Sequence, residues 1–423
     1  MMKSIYTLIR PSFDMPQGKT RDLVDKLLEL REKKKNEGAD ELLAIVDLLT
    51  HGEDLHNINY LPVEGGAVSR LSQEFIAFLC SFKSDSNPLI NRIGNKYGWK
   101  NVELAACTVQ SATAAITASL IANGVTSGEV ITTSLNFLGV PNAIILAGAT
   151  PNFVDIGPYD LCMDPNSLEK MISRKTRAIV LVHFNQVVDL MPIEDILEKK
   201  GIDIPVIQDA SLAIGSTDRS MPAGAVNLGK SGTTVYSFAT SKSLSGLGGA
   251  AVVANDRSLI ERIQSITYQG MQFLNPDELL SFGGNFKMND LNATIILEQL
   301  KKSETIFEKR RMLKSWYDRE LEYLAKAGKI VIQKVSEESV VTHYAILIPD
   351  RKAVAHKLLQ KGIEIGFWHT THLQKIYQKR FGTKAGSLPV SESLAPCITF
   401  LPFHTKLEEK DVSFICNEIK KLI

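Results

Sequence analysis

Lys242 lies in Tyr236-Ser-Phe-Ala-Thr-Ser-Lys242-Ser-Leu-Ser-Gly246-Leu-Gly248-Gly249, a run of hydroxyl and glycine residues after a strand-like stretch. Most lysines are solvated surface groups. One held among such neighbours can lose its proton more easily and form a Schiff base with a carbonyl. Upstream, Asp209 ends the apolar run Val206-Ile-Gln-Asp. A buried carboxylate without a partner is costly, so Asp209 has work to do: binding a metal, capping a helix or holding a proton on a heterocycle. Gln110-Ser-Ala112-Thr113-Ala-Ala opens a helical pattern. Bare amides and a hydroxyl at a helix start can cradle a phosphate, and an ordinary N-cap has the same composition. Phe137 follows Thr132-Thr133-Ser134 and suits either stacking on a planar ring or a place in the core.

These positions need a frame, and the chain between Val102 and Asp256 supplies one. Val130-Ile-Thr-Thr, Asn152-Phe-Val-Asp, Ala178-Ile-Val-Leu-Val, Pro205-Val-Ile-Gln and Ala250-Ala-Val-Val-Ala read as buried strands. Helical stretches at 113–122, 141–146 and 192–199 alternate with them. That alternation predicts a mostly parallel sheet covered by helices, with ligands at the carboxyl ends of its strands.

Residues 1–95 read as a helical N-terminal extension, with Leu23, Leu27, Leu28 and Leu30, then Leu42, Leu43, Val46 and Leu49, at helical spacing. The charged run from Arg31 between them reads as a solvated helix face. Residues 96–290 form the large domain. Residues 291–423 hold a linking helix or helix pair and a smaller C-terminal α/β domain, with a strand over 339–348 and helices over 351–361 and 411–423.

The 423 residues carry 48 basic and 47 acidic side chains, a balance that argues against nucleic acid or an anionic membrane as the main partner. No apolar run approaches a bilayer span, and the N-terminus lacks the pattern of a signal peptide. Five scattered cysteines without a CxxC pair read as reduced thiols of a cytoplasmic protein, with no metal cage expected. Gly224-Ala-Val-Asn-Leu-Gly229-Lys230-Ser231 fits the Walker A pattern, but the order of elements around it is inverted. A polar turn precedes it and a strand follows, so it reads as a surface loop.

The order of a phosphate-binding helix start, an aromatic, a strand-end acid and then a lysine resembles the fold-type I pyridoxal-phosphate enzymes. More closely, the chain from about Trp99 to its end resembles the DegT/StrS group of sugar aminotransferases. Ser111-Ala-Thr-Ala-Ala stands for that group's Ser-Gly-Thr-Ala-Ala, and Ser134-Leu-Asn-Phe137 for its Ser-Leu-Thr-Phe. Val182-His183-Phe-Asn-Gln186, Gln208-Asp209-Ala-Ser211, Ser237-Phe-Ala-Thr-Ser-Lys242, Gly284-Asn285-Phe-Lys287-Met288 and Leu388-Pro-Val-Ser-Glu fit as well.

The resemblance implies an aspartate-aminotransferase-like fold and a pyridoxal 5'-phosphate cofactor. It implies that Lys242 binds the cofactor aldehyde and shuttles a proton, while Asp209 keeps the pyridine nitrogen protonated. Phe137 would stack on the ring, with Ser211 close by. Ala112, Thr113 and Ser237 would hold the phosphate, joined by Asn285 from a second subunit of a homodimer. The reaction implied is ping-pong transfer from glutamate or glutamine to a keto sugar, nucleotide-linked or phosphorylated, for amino-sugar and polysaccharide biosynthesis. His183, Gln186 and Lys287 would face the substrate, His369 and His372 either line the sugar site or make ordinary polar contacts, and His343 reads as part of the small domain's framework. Three positions depart from the group: Leu212 stands near the ring hydroxyl where Gln or His is usual, Ala112 replaces glycine, and Lys287 replaces arginine. Relatives that remove a sugar hydroxyl carry His at the lysine position, so Lys242 argues against a dehydratase. A member that binds cofactor without turnover is the other alternative.

Overall fold

The structure is a computed structural model that describes residues 67–80, 104–224, 231–271 and 279–423. The expected helices around Leu23–Leu30 and Leu42–Leu49, the charged run at Arg31 and the middle of the Walker-like segment lie outside the described residues.

In chain order the elements are α1 (Ala67–Cys80), β1 (Ala105–Val109), α2 (Ala112–Ala122), β2 (Glu129–Thr133), α3 (Gly139–Leu146), β3 (Thr150–Val154), α4 (Pro165–Met171), β4 (Thr176–Val182), α5 (Met191–Lys200) and β5 (Val206–Asp209). The short strands β6 (Thr217–Asp218) and β7 (Met221–Pro222) follow, then β8 (Thr233–Ser237), β9 (Ala250–Ala254), α6 (Arg257–Thr267), α7 (Asp290–Lys301) and α8 (Ser303–Lys326). The remainder is β10 (Val331–Ile332), β11 (Tyr344–Leu347), α9 (Arg351–Leu359), α10 (Lys375–Phe381), α11 (Pro389–Leu394), β12 (Ile398–Leu401) and α12 (Glu409–Leu422).

Seven strands form the central sheet in the order β1-β9-β8-β5-β4-β2-β3. The run from β8 to β3 is parallel, and β9 pairs antiparallel with both β8 and β1. The strict alternation read from the sequence fails at β9. The link from β8 to β9 carries turns and no helix, and without a crossover helix the chain folds straight back. Apolar residues cover both faces, as a parallel sheet requires. Val109, Val130, Val180, Ile207, Val235 and Val252 share a core with α2, α3 and α6, whereas Ile131, Ile179, Leu181 and Val206 pack on α4 and α5.

Behind β8, the buried stripe Leu71, Phe75 and Leu79 of α1 has i, i+4 spacing. Phe75 meets Tyr236 and Phe238 edge-on, at ring separations of 5.1 and 5.6 Å. Tyr236 and Phe238 thus anchor one face of β8, and strand alternation turns Ser237 the other way.

The three-stranded antiparallel sheet β10-β11-β12 packs against α8, α9 and α12 around Leu313, Tyr317, Ile346, Leu401 and Ile419. The strand expected over 339–348 is shorter, Tyr344–Leu347. The amides of Thr342 and His343 donate to Asn185 Oδ1 at 3.0 and 3.1 Å, so this stretch serves the large sheet and not the strand ladder. Among the described residues no helix is long and apolar enough to cross a membrane.

Candidate active site

The carboxyl ends of the parallel strands converge on one edge, and most of the chemical positions lie there. Asp209 closes β5 and is 6% exposed; its Oδ1 accepts from the Ser211 amide at 3.0 Å. Burial pushes its carboxyl above the ordinary carboxylate range, and Ser211 and the positive Lys242 pull back only in part. No basic side chain among the described residues forms an ion pair with it. Lys242 follows β8 in a turn closed by its own amide, which donates to the Ala239 carbonyl at 2.9 Å. Loss of solvent lowers the pKa of its ammonium, with Asp209 opposing the shift. Carboxylate and ammonium therefore feel one another inside a site that favours the neutral form of each.

The β1–α2 turn borders the same edge. Ser111 caps α2, its Oγ accepting from the Ala114 amide at 3.3 Å, and the first amides, those of Ala112 and Thr113, precede the intrahelical ladder. Replacing Ser111 by Ala is expected to destabilise the protein by about 1 kcal/mol, read as a fall in Tm. Phe137 is 63% exposed, unusual for a phenylalanine beside a core. A Cβ placed on Gly139 would meet Thr113 Oγ1 at 2.8 Å and the Phe137 ring at 3.1 Å, so ring, hydroxyl and helix start are immediate neighbours. Ser237 is buried at the end of β8, and its Oγ accepts from the Ala239 amide at 3.3 Å. The Gln110 carbonyl accepts from the Gly249 amide at 2.9 Å, and the Gln110 amide donates to the Phe286 carbonyl at 2.7 Å. These bonds knit the helix start to the lysine loop and to the segment that carries Asn285.

An electron-poor heterocycle with a phosphate tail fits these groups. The buried Asp209 carboxylate has no ion-pair partner among the described residues, an exposed ring flanks a helix start, and the desolvated lysine stands at the same strand edge.

The substrate-side expectations divide. His183 is fully buried: its Nδ1 accepts from the Val188 amide at 2.9 Å, so its Nε2 donates to Gln208 Oε1 at 3.0 Å. Burial, partly offset by the bond to Gln208, pushes its pKa down to about 4. Both nitrogens are occupied by the framework, which corrects the placement of His183 against a substrate. Gln186 likewise reaches inward, accepting from the Ser336 amide at 3.2 Å and lying 3.8 Å from Cys162 Sγ. His372 is buried between Ser134 Oγ at 2.5 Å and Glu392 Oε1 at 3.0 Å, so it too belongs to the framework. His369 is exposed, its ring edge-on to Phe367 at 4.9 Å. Lys287 is exposed with its ammonium 4.1 Å from the Tyr268 ring centre. Asn285 is exposed, beside Tyr268 in an isolated bridge. Leu212 is buried in an apolar cluster with Leu135, Ile156 and Phe400.

Sequence reasoning passed over Asn185. It is fully buried in the left-handed region (φ 64°) and bonds to Gln333 and to the backbone of Thr342 and His343. A polar side chain just past a buried strand end was the available signal. His343, expected to be framework, stacks on Phe400 at 5.2 Å. Burial first, then the positive charges of Lys242 and Arg310, push its pKa down to about 3, so it lies within electrostatic reach of the lysine.

Residues 100–420 match the model of the DegT/DnrJ/EryC1/StrS aminotransferase family. A Geobacillus stearothermophilus protein described as a pleiotropic regulatory protein is 31% identical over 311 residues, 72% of this chain and 81% of its own. The structure of NtdA from Bacillus subtilis with bound cofactor PMP is similar at 27% identity and a TM-score of 0.67, over 84% of this chain and 82% of that one. The sugar aminotransferase CalS13 from Micromonospora echinospora superposes with a TM-score of 0.73 at 23% identity, over 91% and 98% of the two chains, a likeness of fold.

Proposed function

The chain belongs to the DegT/DnrJ/EryC1/StrS aminotransferase family, enzymes that depend on pyridoxal phosphate, and we propose that it moves an amino group from glutamate or glutamine to a keto sugar. The sugar is nucleotide-linked or phosphorylated, and its product is an amino sugar for polysaccharide or related biosynthesis in the cytoplasm. The observation that carries the reading is the pairing of Asp209 and Lys242 at neighbouring strand ends, each with its charged form disfavoured by burial. The sugar as acceptor is supported by the family and by structural neighbours such as CalS13, named as a sugar aminotransferase.

Pyridoxal phosphate, when bound, supplies an aldehyde for the amine and a ring that draws electrons from the adjacent carbon. The chain's residues do the rest. Lys242 Nζ would hold the cofactor through its aldehyde. The same Nζ, when free as an amine, would serve as the base that takes up and returns a proton. Burial shifts that amine toward its neutral form, the form that can act as a base, with Asp209 opposing the shift. Asp209 would keep a proton on the ring nitrogen, and the exposed Phe137 ring would stack on the heterocycle. The amides of Ala112 and Thr113, with the Ser237 hydroxyl, would bind the phosphate, and Asn285 of a second copy would complete that site across a homodimer. His369 and Lys287 remain the side chains available to the sugar, whereas His183, Gln186 and His372 hold the walls.

The test is a half-reaction. Protein loaded with pyridoxal phosphate is mixed with L-glutamate or L-glutamine, and the visible absorbance of the bound cofactor is followed. The expected result is its loss with one of the two, then recovery when a keto sugar is added. Recovery with 2-oxo acids and with none of a panel of nucleotide-linked and phosphorylated keto sugars would overturn the sugar assignment.

A further inference from the structure

Thr342 is 1% exposed and stands just before β11, outside any strand. Each of its polar atoms is engaged. Its amide donates to Asn185 Oδ1 at 3.0 Å, and its carbonyl accepts from Arg310 Nη1 at 3.3 Å. Its Oγ1 lies 3.2 Å from the Leu212 carbonyl and 2.9 Å from Ser243 Oγ. A carbonyl only accepts, so the single hydroxyl proton of Thr342 goes to Leu212, and Ser243 must donate to Thr342 Oγ1. One hydroxyl thereby ties the residue next to Lys242 to the turn that follows Asp209.

We propose that Thr342 is a positioning residue that fixes Lys242 relative to Asp209 from the side of the small sheet. This rests on the reading of Lys242 and Asp209 as the chemical pair. The alternative, that Thr342 merely fills a buried space, does not account for the arrangement behind it. Asn185 adopts a left-handed conformation that is uncommon outside glycine, and it uses its side chain to hold the amides at 342 and 343. Arg310, 5% exposed and without a carboxylate partner among the described residues, directs Nη1 at the carbonyls of Val341 and Thr342. Desolvating a guanidinium and straining a backbone are both unfavourable, and both converge on this one residue. Leu244 anchors the turn over 239–245 in the apolar cluster of Leu71 and Phe75, but that contact fixes the turn on the far side of Ser243 from Lys242. Among its described residues, the Ser243–Thr342 contact is the side-chain hydrogen bond that leaves the turn for a distant part of the chain. A bond at that place governs where Nζ sits, and errors of about 1 Å there cost about 10²-fold in rate.

The experiment uses the full chain loaded with pyridoxal phosphate. Thr342→Val keeps the shape and removes both hydroxyl bonds; Thr342→Ser keeps the hydroxyl. Two quantities are read: the pH midpoint of the visible absorbance of bound cofactor, and the first-order rate of its loss at saturating L-glutamate. With Val the midpoint is expected to move by about half a pH unit or more, and the rate to fall about 10–100-fold at little-changed half-saturation. Ser is expected to restore both. An unchanged midpoint in Thr342→Val, with or without a lower Tm, overturns the proposal. Should that variant fail to fold, Ser243→Ala opens the same bond from the other end, and an unchanged midpoint there overturns the proposal equally. Lys242→Ala runs alongside. If it keeps the visible absorbance, the reading of the site itself falls; if it loses the absorbance while Thr342→Val behaves as the parent, only the role of Thr342 falls.

Discussion

Lys242→Ala, prepared with excess pyridoxal phosphate, is expected to show only the spectrum of free cofactor and to lose amino transfer by more than about 10⁴-fold. Two functions disappear with one side chain: the amine that holds the aldehyde and the base that moves the proton. Lys242→Arg separates charge from nucleophilicity, because a guanidinium stays protonated and cannot attack a carbonyl. It should be as inactive as the alanine variant although it restores the positive charge facing Asp209. The fold should survive both changes. The lysine is half-buried and its ammonium makes no ion pair among the described residues, while β8 is held from behind by Phe75 against Tyr236 and Phe238. Near-parental Tm values with no visible band would therefore locate the loss in the chemistry. A band that survived in Lys242→Ala would remove Lys242 from the site.

Much of this was legible in the chain. The β5 run ending in Asp209 and the hydroxyl-rich turn with Lys242 depend on local rules: an apolar strand, then small residues where a ligand must approach. Those rules leave a mark at short range. The framework histidines show where such reading stops. His183 and His372 have the residue type of ligand-binding groups, and only tertiary structure reveals that the Val188 amide and Gln208 occupy one, and Ser134 and Glu392 the other. Thr342 was invisible for the same reason, and Asn185 showed only as a polar residue just past a buried strand. Their partners lie far along the chain, and threonine and asparagine carry no periodic signal. The reversal of β9 is intermediate: the absence of a helical pattern between β8 and β9 was readable as a sign against a parallel crossover.

Asp209→Asn tests the other half of the pair and is expected to cut amino transfer on the order of 10³-fold while leaving the chain folded. The amide has nearly the carboxylate's shape, so the Ser211 amide keeps its acceptor, but a neutral group cannot hold a proton on the ring nitrogen. Stability should move the opposite way in protein stripped of cofactor. The folded-state pKa of Asp209 is raised above its unfolded value near 3.8, mainly by burial. Its contribution to stability is therefore fully present below pH 3.8 and is lost as pH rises through the folded pKa, because the ionised form is penalised in place. Asparagine does not titrate, so cofactor-free Asp209→Asn should be at least as stable as the parent at neutral pH, and its Tm should fall less between pH 4 and 7. Loading with cofactor should reverse the order, since the parent's ionised carboxylate would then face a protonated ring nitrogen. Thermal melts of both proteins across that range, with and without pyridoxal phosphate, read the crossing directly. A cofactor-free Asp209→Asn that melts well below its parent at neutral pH would mean that the protein itself already balances this charge, and that Asp209 is not reserved for the ring.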